Sequence, residues 1–513
     1  MAAFLCASVA FAAPGELDKS FDEDGKALVN FGAQDFADAV SVLPGGGTVT
    51  AGGSYQPTGD VAAVARLQPN GALDPSLDGD GRATTNFGEA NATAQGLAVS
   101  PDGRITLGGG RSRGLAPRDF LFTRLTAGGS PDPSFTPTTV DLGADEFLTE
   151  MARQPDGKVV AAGFSGSPGD FAVARVGANG GPDNSFSDDG KLTIPFGPSD
   201  DEAWALTIQP DGKIVVAGHG GPLQSMIVVR LKPDGTPDGT FGNGGVAFAD
   251  FGADEFAYAV AVQPNGRILV AGVTTAAGGG DFAVARFDSG GALDTTFSGD
   301  GKLTAGFGAN GESAAGVVVQ QNGRIVVGGH GVPGGDNVLL RLNPNGSPDR
   351  SFGSAGELRI DFGSAFDYLR SMTIAPNGDI VGAGATSNNN DFSVFRVKGD
   401  PVARCTGVLA TKVGTAKRDV LKGTRRRDVI AGLGGNDRLS GLGGNDLICG
   451  GAGKDAVKGG AAKDVLRGDA GVDTLRGGAG RDKLLGGTGR DRLFGGPGPD
   501  RLKGGPGKDQ QRP

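Results

Sequence analysis

The sequence predicts an all-β protein, a seven-bladed β-propeller followed by a parallel β-roll of nonapeptide repeats. Three observations carry this prediction. Glycine supplies 96 of the 513 residues, whereas aromatic residues make up only 6 %, and so turn-rich a composition favours short strands over long helices. A unit of 51 to 58 residues recurs seven times from Leu17 to Val397. Near the C-terminal end, an aspartate returns every nine residues.

The net charge of −10 divides unevenly along the chain. Residues 402–513 hold 22 basic and 12 acidic side chains, whereas the rest holds 26 basic and 46 acidic ones. An acidic front and a basic back indicate two separate domains. The basic region makes an anionic cell-surface polymer a candidate partner, beside a protein partner, through binding that weakens with salt. No motif predicts a specific nucleic acid.

The first residues are predicted to be a secretory signal. Residues 1–12 form a short apolar run that ends in Ala10-Phe11-Ala12, a pattern typical of a cleavage site. The alternative is an ordinary buried strand. With the signal removed, no apolar run of membrane-spanning length remains, and we expect a secreted or cell-surface protein.

The cysteines agree with export. Cys6 lies in the predicted signal, which leaves Cys405 and Cys449 as an even pair. In an oxidising compartment, this pair predicts a disulfide. Two free thiols are the alternative, because the sequence does not give their separation in space.

The seven-fold unit begins with an Asp-x-Ser/Thr-Phe element. It continues through a Phe-Gly pair and a Pro-Asp/Asn-Gly turn, and it ends in a β-type run that closes on arginine. Four short β-type runs in each unit, separated by Gly and Pro turns, are typical of a propeller blade. In the first unit these runs are Lys26–Phe31, Ala37–Leu43, Thr48–Ala51 and Val61–Arg66. An open solenoid is the alternative arrangement.

A four-stranded unit cannot bury both of its faces alone, so seven units must pack around an axis. We place this propeller at residues 14–397. Because a ring with unpaired edges invites aggregation, we expect Lys26–Phe31 to pair with the last blade near Ser393–Val397. The repeated Phe, Val, Ile and Leu positions would then form the core between blades.

The unit resembles the delta-60 repeat family of bacterial surface and secreted proteins. The resemblance rests on the pattern LDxSFxxDGK…FG…P(D/N)GK…AG…DFAVARL and covers Leu17 to Val397. It implies a propeller-like fold and brings no general enzymatic activity.

Nothing in the repeats predicts catalysis. A residue that occurs seven times at one offset is architectural, so we interpret the repeated Asp as a turn cap and expect the repeated Arg to pair with carboxylates at blade edges. Two histidines in the whole chain nearly exclude a His-based site, and Trp204 is interpreted as a packing residue of one blade. The protein is therefore expected not to be an enzyme. The alternative is a hydrolase or lyase that acts on extracellular polysaccharide, which carboxylates clustered at the central channel would support.

From Gly414 the chain follows the form G-G-x-G-x-D-x-U-x, where U is a large aliphatic residue, and residues 398–413 are interpreted as a linker. Eleven copies run through residues 414–512. Six glycine-rich residues form a tight loop and the next three a short strand, so that two copies complete one turn of a parallel coil. Loops two copies apart then stack, which brings Asp carboxylates and glycine carbonyls together as hard oxygen donors for Ca²⁺.

All but one of the aspartates expected to bind calcium lie in copies whose loops keep the fourth-position glycine. The expected ligands are the carboxylates of Asp437, Asp446, Asp455, Asp464, Asp473, Asp482, Asp491 and Asp500, with the fourth-position glycines Gly435, Gly444, Gly453, Gly471, Gly480, Gly489 and Gly498. Lys417, Arg426 and Ala462 replace this glycine in copies one, two and six. Cations at fifth positions either lower calcium affinity or point to solvent, and glycine-rich disorder is the alternative to the whole roll.

These copies are similar to the haemolysin-type (RTX) calcium-binding repeat, which implies a Ca²⁺-dependent β-roll. Together, the two regions predict a secreted, calcium-binding, non-enzymatic surface or interaction protein. The propeller would be the binding scaffold, and the roll the stabilising or anchoring module.

Overall fold

The computed structural model describes residues 14–111, 118–276, 279–308, 311–331, 335–387, 390–400, 402–414 and 417–513. The predicted signal at residues 1–12 lies outside them. All regular structure in these ranges is β, and none of their segments forms a helix that is long and apolar enough to cross a membrane. The chain divides into two compact units, the first ending at Gly399 and the second beginning at Asp400.

The first unit consists of seven four-stranded antiparallel sheets, which confirms the seven-bladed propeller. Blades 1 to 3 contain β2 to β13, in order Gln34–Val42, Thr48–Gln56, Gly59–Leu67, Arg82–Thr85; Ala92–Val99, Ile105–Arg111, Phe120–Leu125, Thr138–Val140; and Glu146–Arg153, Val159–Gly166, Gly169–Val176, Lys191–Ile194. Blades 4 to 6 contain β14 to β25, in order Glu202–Ile208, Ile214–Gly220, Ser225–Leu231, Val246–Ala249; Glu255–Val262, Ile268–Thr274, Asp281–Phe287, Lys302–Ala305; and Ser313–Val319, Ile325–His330, Asn337–Leu342, Glu357–Ile360.

Blade 7 closes the ring with strands from both ends of the propeller. It contains β26, β27 and β28, at Asp367–Ile374, Ile380–Thr386 and Phe392–Val397, and its fourth strand is β1 at Lys26–Val29. In the antiparallel pair, Lys26 lies opposite Phe395, and Val29 opposite Phe392. The predicted closure is confirmed. The sequence unit is therefore displaced by one strand from the blade, since each unit opens with the outermost strand of the preceding blade.

The hydrophobic core of the propeller lies between blades. Seven clusters of buried side chains each combine residues of two neighbouring blades. The first strand of each blade also packs against the first strands of both neighbours, so these seven strands surround the central channel. Each blade therefore buries its faces against its two neighbours, which favours a closed ring.

The repeated motif forms an inter-blade latch. In blade 4, Nε of Arg230 donates to Asp238 Oδ2 at 2.7 Å, while the guanidinium lies 4.5 Å from the Phe241 ring centre. Asp238 Oδ1 accepts the hydroxyl of Thr240 at 2.7 Å, and a further guanidinium nitrogen donates to the carbonyl of Ser289 in the next blade at 2.7 Å. The latch thus brings together all four residue types of the motif, Asp, Ser/Thr, Phe and Arg, in one contact between neighbouring blades.

The ion pair occurs seven times, with Nε to Oδ2 distances of 2.6–2.9 Å: Arg66–Asp74, Arg124–Asp132, Arg175–Asp183, Arg230–Asp238, Arg286–Asp294, Arg341–Asp349 and Arg396–Asp18. The turn-cap and ion-pair interpretation is confirmed.

The second unit is a parallel β-roll of about six turns with two six-stranded sheets. One sheet contains Lys412–Val413, Val429–Ala431, Leu447–Gly453, Val465–Gly471, Lys483–Thr488 and Arg501–Lys503 (β31, β33, β35, β37, β39 and β41). The other contains Val420–Lys422, Arg438–Gly443, Ala456–Ala461, Thr474–Ala479, Arg492–Phe494 and Gln510–Arg512 (β32, β34, β36, β38, β40 and β42). Partner strands pair residues 18 apart, as Leu439 with Val457. The aliphatic positions of the two sheets form one core cluster that runs from Leu421 to Leu502.

A small hairpin packs beside the first turns of the roll. Its strands β29 and β30, Arg404–Cys405 and Val408–Leu409, lie within the segment interpreted as a linker, and β31 already belongs to a roll sheet. Cys405 is joined to Cys449 by a disulfide, with the Cα atoms 5.6 Å apart, as predicted. Both cysteines are buried among Ala403, Ala410 and the side chains of β33 and β35. Apolar burial explains why this segment is ordered against the roll.

Candidate calcium-binding roll and central channel

The aspartates of the roll form two hydrogen-bonded files. Oδ1 of each carboxylate accepts the backbone N–H of the aspartate 18 residues earlier, as in Asp455 N–H to Asp473 Oδ1 at 2.8 Å and Asp464 N–H to Asp482 Oδ1 at 2.9 Å. This ladder is unbroken from Asp419 to Asp509. It fixes each carboxylate in one orientation and directs its second oxygen into the loop.

That second oxygen is left without a partner. In the described part of the roll, buried Oδ2 atoms that accept no hydrogen bond occur in Asp437, Asp446, Asp455, Asp464, Asp473, Asp482, Asp491 and Asp500. These are the eight aspartates predicted as ligands. A buried anionic oxygen without a donor is costly, so the donor set fits a hard divalent cation such as Ca²⁺. The assignment of individual ligands stays a prediction.

Without a cation between them, the stacked carboxylates repel one another. Burial raises the pKa of Asp464 to about 7, an effect that the N–H of Asp446 opposes and the charges of Asp446 and Asp482 increase. Burial likewise raises the pKa of Asp473 to about 7. A cation between stacked loops would remove both the desolvation cost and the repulsion.

Two glycine positions make the loops possible. The fourth-position glycines adopt positive φ, +133° at Gly453 and +142° at Gly471, and a Cβ on Gly471 would collide with the carbonyl of Gly453. The first-position glycine, Gly in all eleven copies, was not predicted to have a role. A Cβ on Gly441 would collide with Oδ2 of Asp446 and on Gly468 with Oδ2 of Asp473. Its invariance within the chain was the available signal.

The copies that lack the fourth-position glycine differ from one another. In copy two, Oδ2 of Asp428 accepts the backbone N–H of Thr424 at 2.6 Å and its hydroxyl at 3.0 Å. This oxygen therefore already has protein donors. In copy six, Ala462 adopts a φ of +79° in place of glycine. The fifth-position cations Lys454, Lys463, Arg481, Arg490 and Lys508 are exposed, so they point to solvent.

The central channel of the propeller holds a second group of functional candidates. A cavity of about 730 Å³ is lined by Asp38, Glu150, Trp204, Tyr258 and Arg370, among others. Trp204 is therefore more than the packing residue of one blade, because its half-buried indole lines this cavity. A smaller cavity of about 320 Å³ shares Glu150 and lies next to the same inner strands.

The two carboxyls of the channel have perturbed acidities. Burial raises the pKa of Asp38 to about 6, and the charge of Arg370 opposes that rise. Burial raises the pKa of Glu150 to about 7, although its carboxylate accepts the N–H of Met151 at 2.9 Å. The histidines occupy equivalent places in blades 4 and 6, and burial lowers the pKa of both His219 and His330 to about 4.

Comparison with known families agrees with this division. A domain of unknown function described as the DUF5122 β-propeller matches residues 47–77, 100–135, 154–186, 209–241, 263–297 and 320–352. The RTX calcium-binding nonapeptide repeat matches residues 413–448, 449–484 and 485–510. The chain is a DUF5122 propeller joined to an RTX repeat region. The six DUF5122 matches leave out one latch of the ring, that of Asp18 and Arg396, whose halves come from opposite ends of the propeller.

The similarity of solved structures to the DUF5122 propeller is low, both in backbone superposition and in sequence identity. Sqt1 of Chaetomium thermophilum, bound to the N-terminus of ribosomal protein L10, has a TM-score of 0.41 at 13 % identity, covering 73 % of this chain and 99 % of that one. A Lactobacillus plantarum protein has a TM-score of 0.41 at 13 % identity, covering 69 % and 96 %. A glucose dehydrogenase has a TM-score of 0.37 at 13 % identity, covering 60 % and 96 %. No functionally curated protein shows significant similarity. None of these likenesses carries a functional argument.

Proposed function

We propose that this chain is a secreted, non-enzymatic interaction protein in which calcium orders the RTX roll and the propeller is the binding scaffold. The observation that carries the proposal is the set of eight buried Oδ2 atoms without hydrogen-bond donors. A roll with one aliphatic side chain per strand buries little apolar surface to offset the ordering of its backbone. Calcium between the loops supplies the missing stabilisation, so binding energy becomes folding energy.

One further observation and one general property of calcium modules support export. The disulfide between Cys405 and Cys449 is typical of an oxidising compartment. Calcium-dependent modules outside the cell commonly bind Ca²⁺ at about 10⁻⁴–10⁻³ M. A roll of this kind would be ordered outside the cell, where it would stabilise the protein or anchor it to an anionic surface polymer through its basic side chains.

The test is limited proteolysis of the full chain, followed by circular dichroism, in calcium, magnesium or EGTA. We expect the roll to resist protease near millimolar Ca²⁺, but not in Mg²⁺ or EGTA. Replacing Asp473→Asn and Asp491→Asn together, in one file, should raise the calcium midpoint. The control is Asp156→Asn, which makes the same chemical change in an exposed turn of the propeller, away from the roll. Equal protection in Mg²⁺, or an unchanged midpoint in the double variant, would overturn the calcium role.

One observation favours the alternative, an enzyme acting on extracellular polysaccharide. Asp38 and Glu150 line the same channel cavity, and burial raises the pKa of both into the range suited to proton transfer. Release of reducing ends from soluble polysaccharides by the full chain, abolished by Glu150→Gln, would establish this activity. Absence of turnover with intact binding would support the non-enzymatic role.

A further inference from the structure

The innermost strand of every blade has a β-bulge at the same place. The strand pairing skips one residue between Ala37 and Ala39 in blade 1, between Leu148 and Glu150 in blade 3, and at the equivalent points of the other five blades. The skipped residues, in blade order, are Asp38, Gln95, Thr149, Trp204, Tyr258, Ala315 and Arg370. All seven line the 730 Å³ cavity. Bulges turn a side chain out of the sheet alternation, here into the channel.

These seven positions differ from every other repeated position of the propeller. The residue before each bulge is always a buried Ala or Leu, from Ala37 in blade 1 to Leu369 in blade 7. The latch residues likewise recur in every blade. By contrast, the bulge residues comprise an acid, an amide, a hydroxyl, two different aromatic rings, a methyl and a guanidinium. The structural positions are thus the same in every blade, whereas the bulge residues differ, so the fold does not require these particular side chains.

The variation is ordered around the ring. Blades 4 and 5 supply Trp204 and Tyr258, whose rings meet edge to face with centroids 5.6 Å apart. The indole also contacts the ring of Phe164, with the ring centroids 6.1 Å apart, and its Nε1 donates a hydrogen bond to the Glu202 carboxylate at 3.0 Å. These contacts make a rigid aromatic arc.

Among the bulge residues, those of the opposite arc are polar, although Phe36, Tyr55 and Phe147 also line the cavity there. Blades 7, 1, 2 and 3 follow one another and supply Arg370, Asp38, Gln95 and Thr149. The charges of Arg370 and Asp38, on neighbouring blades, offset each other, and burial keeps Glu150 partly neutral near pH 7 by raising its pKa to about 7. This arc therefore offers hydrogen-bond donors and acceptors with little net charge, which favours an uncharged polar ligand.

We propose that the bulge residues form a binding site for a neutral saccharide in the propeller channel. A pyranose ring has an apolar face of C–H groups, which suits the electron-rich face of an aromatic ring, and hydroxyls around its edge, which suit the polar arc. A cavity of this volume lies in the range of small-molecule sites, which combine apolar walls with a few polar groups. The inference rests on the proposed role of the propeller as a scaffold and is independent of calcium binding by the roll.

The chain provides its own probe, because Trp204 is its only tryptophan. The full chain would be titrated with soluble cello-, chito-, malto-, xylo- and manno-oligosaccharides, in calcium and again in EGTA, while indole fluorescence is recorded. We expect a saturable change with at least one series in both conditions. If the roll did not depend on calcium, the titration would still test saccharide binding by the propeller. If no saccharide bound, the proteolysis experiment would still test calcium binding by the roll.

Variants then locate the site. Asp38→Asn and Arg370→Gln should each weaken binding about tenfold, because a hydrogen bond that involves a charged group is roughly twice as strong as one between neutral groups. Trp204→Phe, followed by calorimetry, should weaken it as well. The matched control is Asp156→Asn in an exposed turn, where the amide keeps the acceptor for Lys158 N–H. Thermal unfolding would verify that each variant folds. No response to any series, or binding unaffected by all three channel variants, would overturn the proposal.

Discussion

Arg396 in the last strand of the propeller donates to Asp18 at 2.6 Å, although the two residues are 378 positions apart in the chain. The same guanidinium bonds to the hydroxyl of Ser20 at 3.1 Å and lies 4.8 Å from the ring centre of Phe21. This contact is the seventh latch. Unlike the other six, it joins the two ends of the propeller, so its loss tests how far closure stabilises the ring.

We predict that Arg396→Met destabilises the propeller by roughly 2–4 kcal/mol, because it breaks a buried ion pair and leaves Asp18 with Lys398 as its remaining cation. Denaturant unfolding followed by Trp204 fluorescence measures this change in the propeller alone. The control Arg350→Met alters an exposed residue inside a latch motif and should shift stability by no more than about 0.5 kcal/mol. Equal effects of the two variants would contradict the prediction.

The latch also predicts a pH dependence. Burial alone would raise the pKa of Asp18, but hydrogen bonds from Lys398 and Ser20 and the charge of Arg396 lower it to about 2. Asp132 likewise has a pKa of about 2, where bonds from Ser134 and Arg124 outweigh burial. A carboxyl whose pKa is depressed on folding stabilises the fold above its unfolded pKa near 3.8, and this stability is lost as the pH falls toward 2.

Propeller stability should therefore decline between about pH 4 and pH 2. Denaturant midpoints across this range, read from Trp204, would show the decline. In Asp18→Asn, one titrating group is gone, so the slope should be shallower. A slope as steep as that of the unmodified chain would argue against the latch as its source.

In the roll, Gly471→Ala should disrupt calcium-dependent order. Its Cβ would meet the carbonyl of Gly453, and alanine is strained at a φ of +142°, a cost of roughly 1–3 kcal/mol. Gly443→Ala is the matched control, because the nearest atom to its Cβ would be 3.8 Å away. Protease protection in calcium should be weakened in the first variant and preserved in the second. Loss of protection in both would point to a general intolerance of the loops.

The disulfide should stabilise only the roll. Removing it through Cys405→Ser with Cys449→Ser frees a loop spanning 44 positions, for which the chain-entropy treatment gives about 3–4 kcal/mol. The calcium-protected roll should become more sensitive to protease, while the Trp204 unfolding transition stays in place. A matching shift of that transition would show that the bridge also supports the propeller.

Repetition explains how much of this structure the sequence could predict. The latch residues and the aspartate files recur at fixed offsets, so an architectural role for the first and a ligand role for the second could be predicted without coordinates. The pairing of each repeated Arg with the repeated Asp could not be predicted in this way. Nor could the bulge residues, because a skipped pairing depends on hydrogen bonds between strands, and the seven side chains share no chemistry. Trp204 looked like a packing residue because nothing in its local sequence shows that it faces the channel. The first-position glycines show no positive φ; only the crowding by Asp Oδ2 explains them.

Blade 7 combines strands from both ends of the propeller, and this has a consequence for how the chain folds during synthesis. Lys26–Val29 leaves the ribosome before any blade exists, and its partner Phe392–Val397 follows only after the other six blades have been synthesised. Until then, the growing propeller has one open edge and an incomplete last sheet, a state prone to pairing with other chains. The last step of folding is therefore delayed to the end of translation or export, and a chain stopped before Asp367 would lack three of the four strands of blade 7.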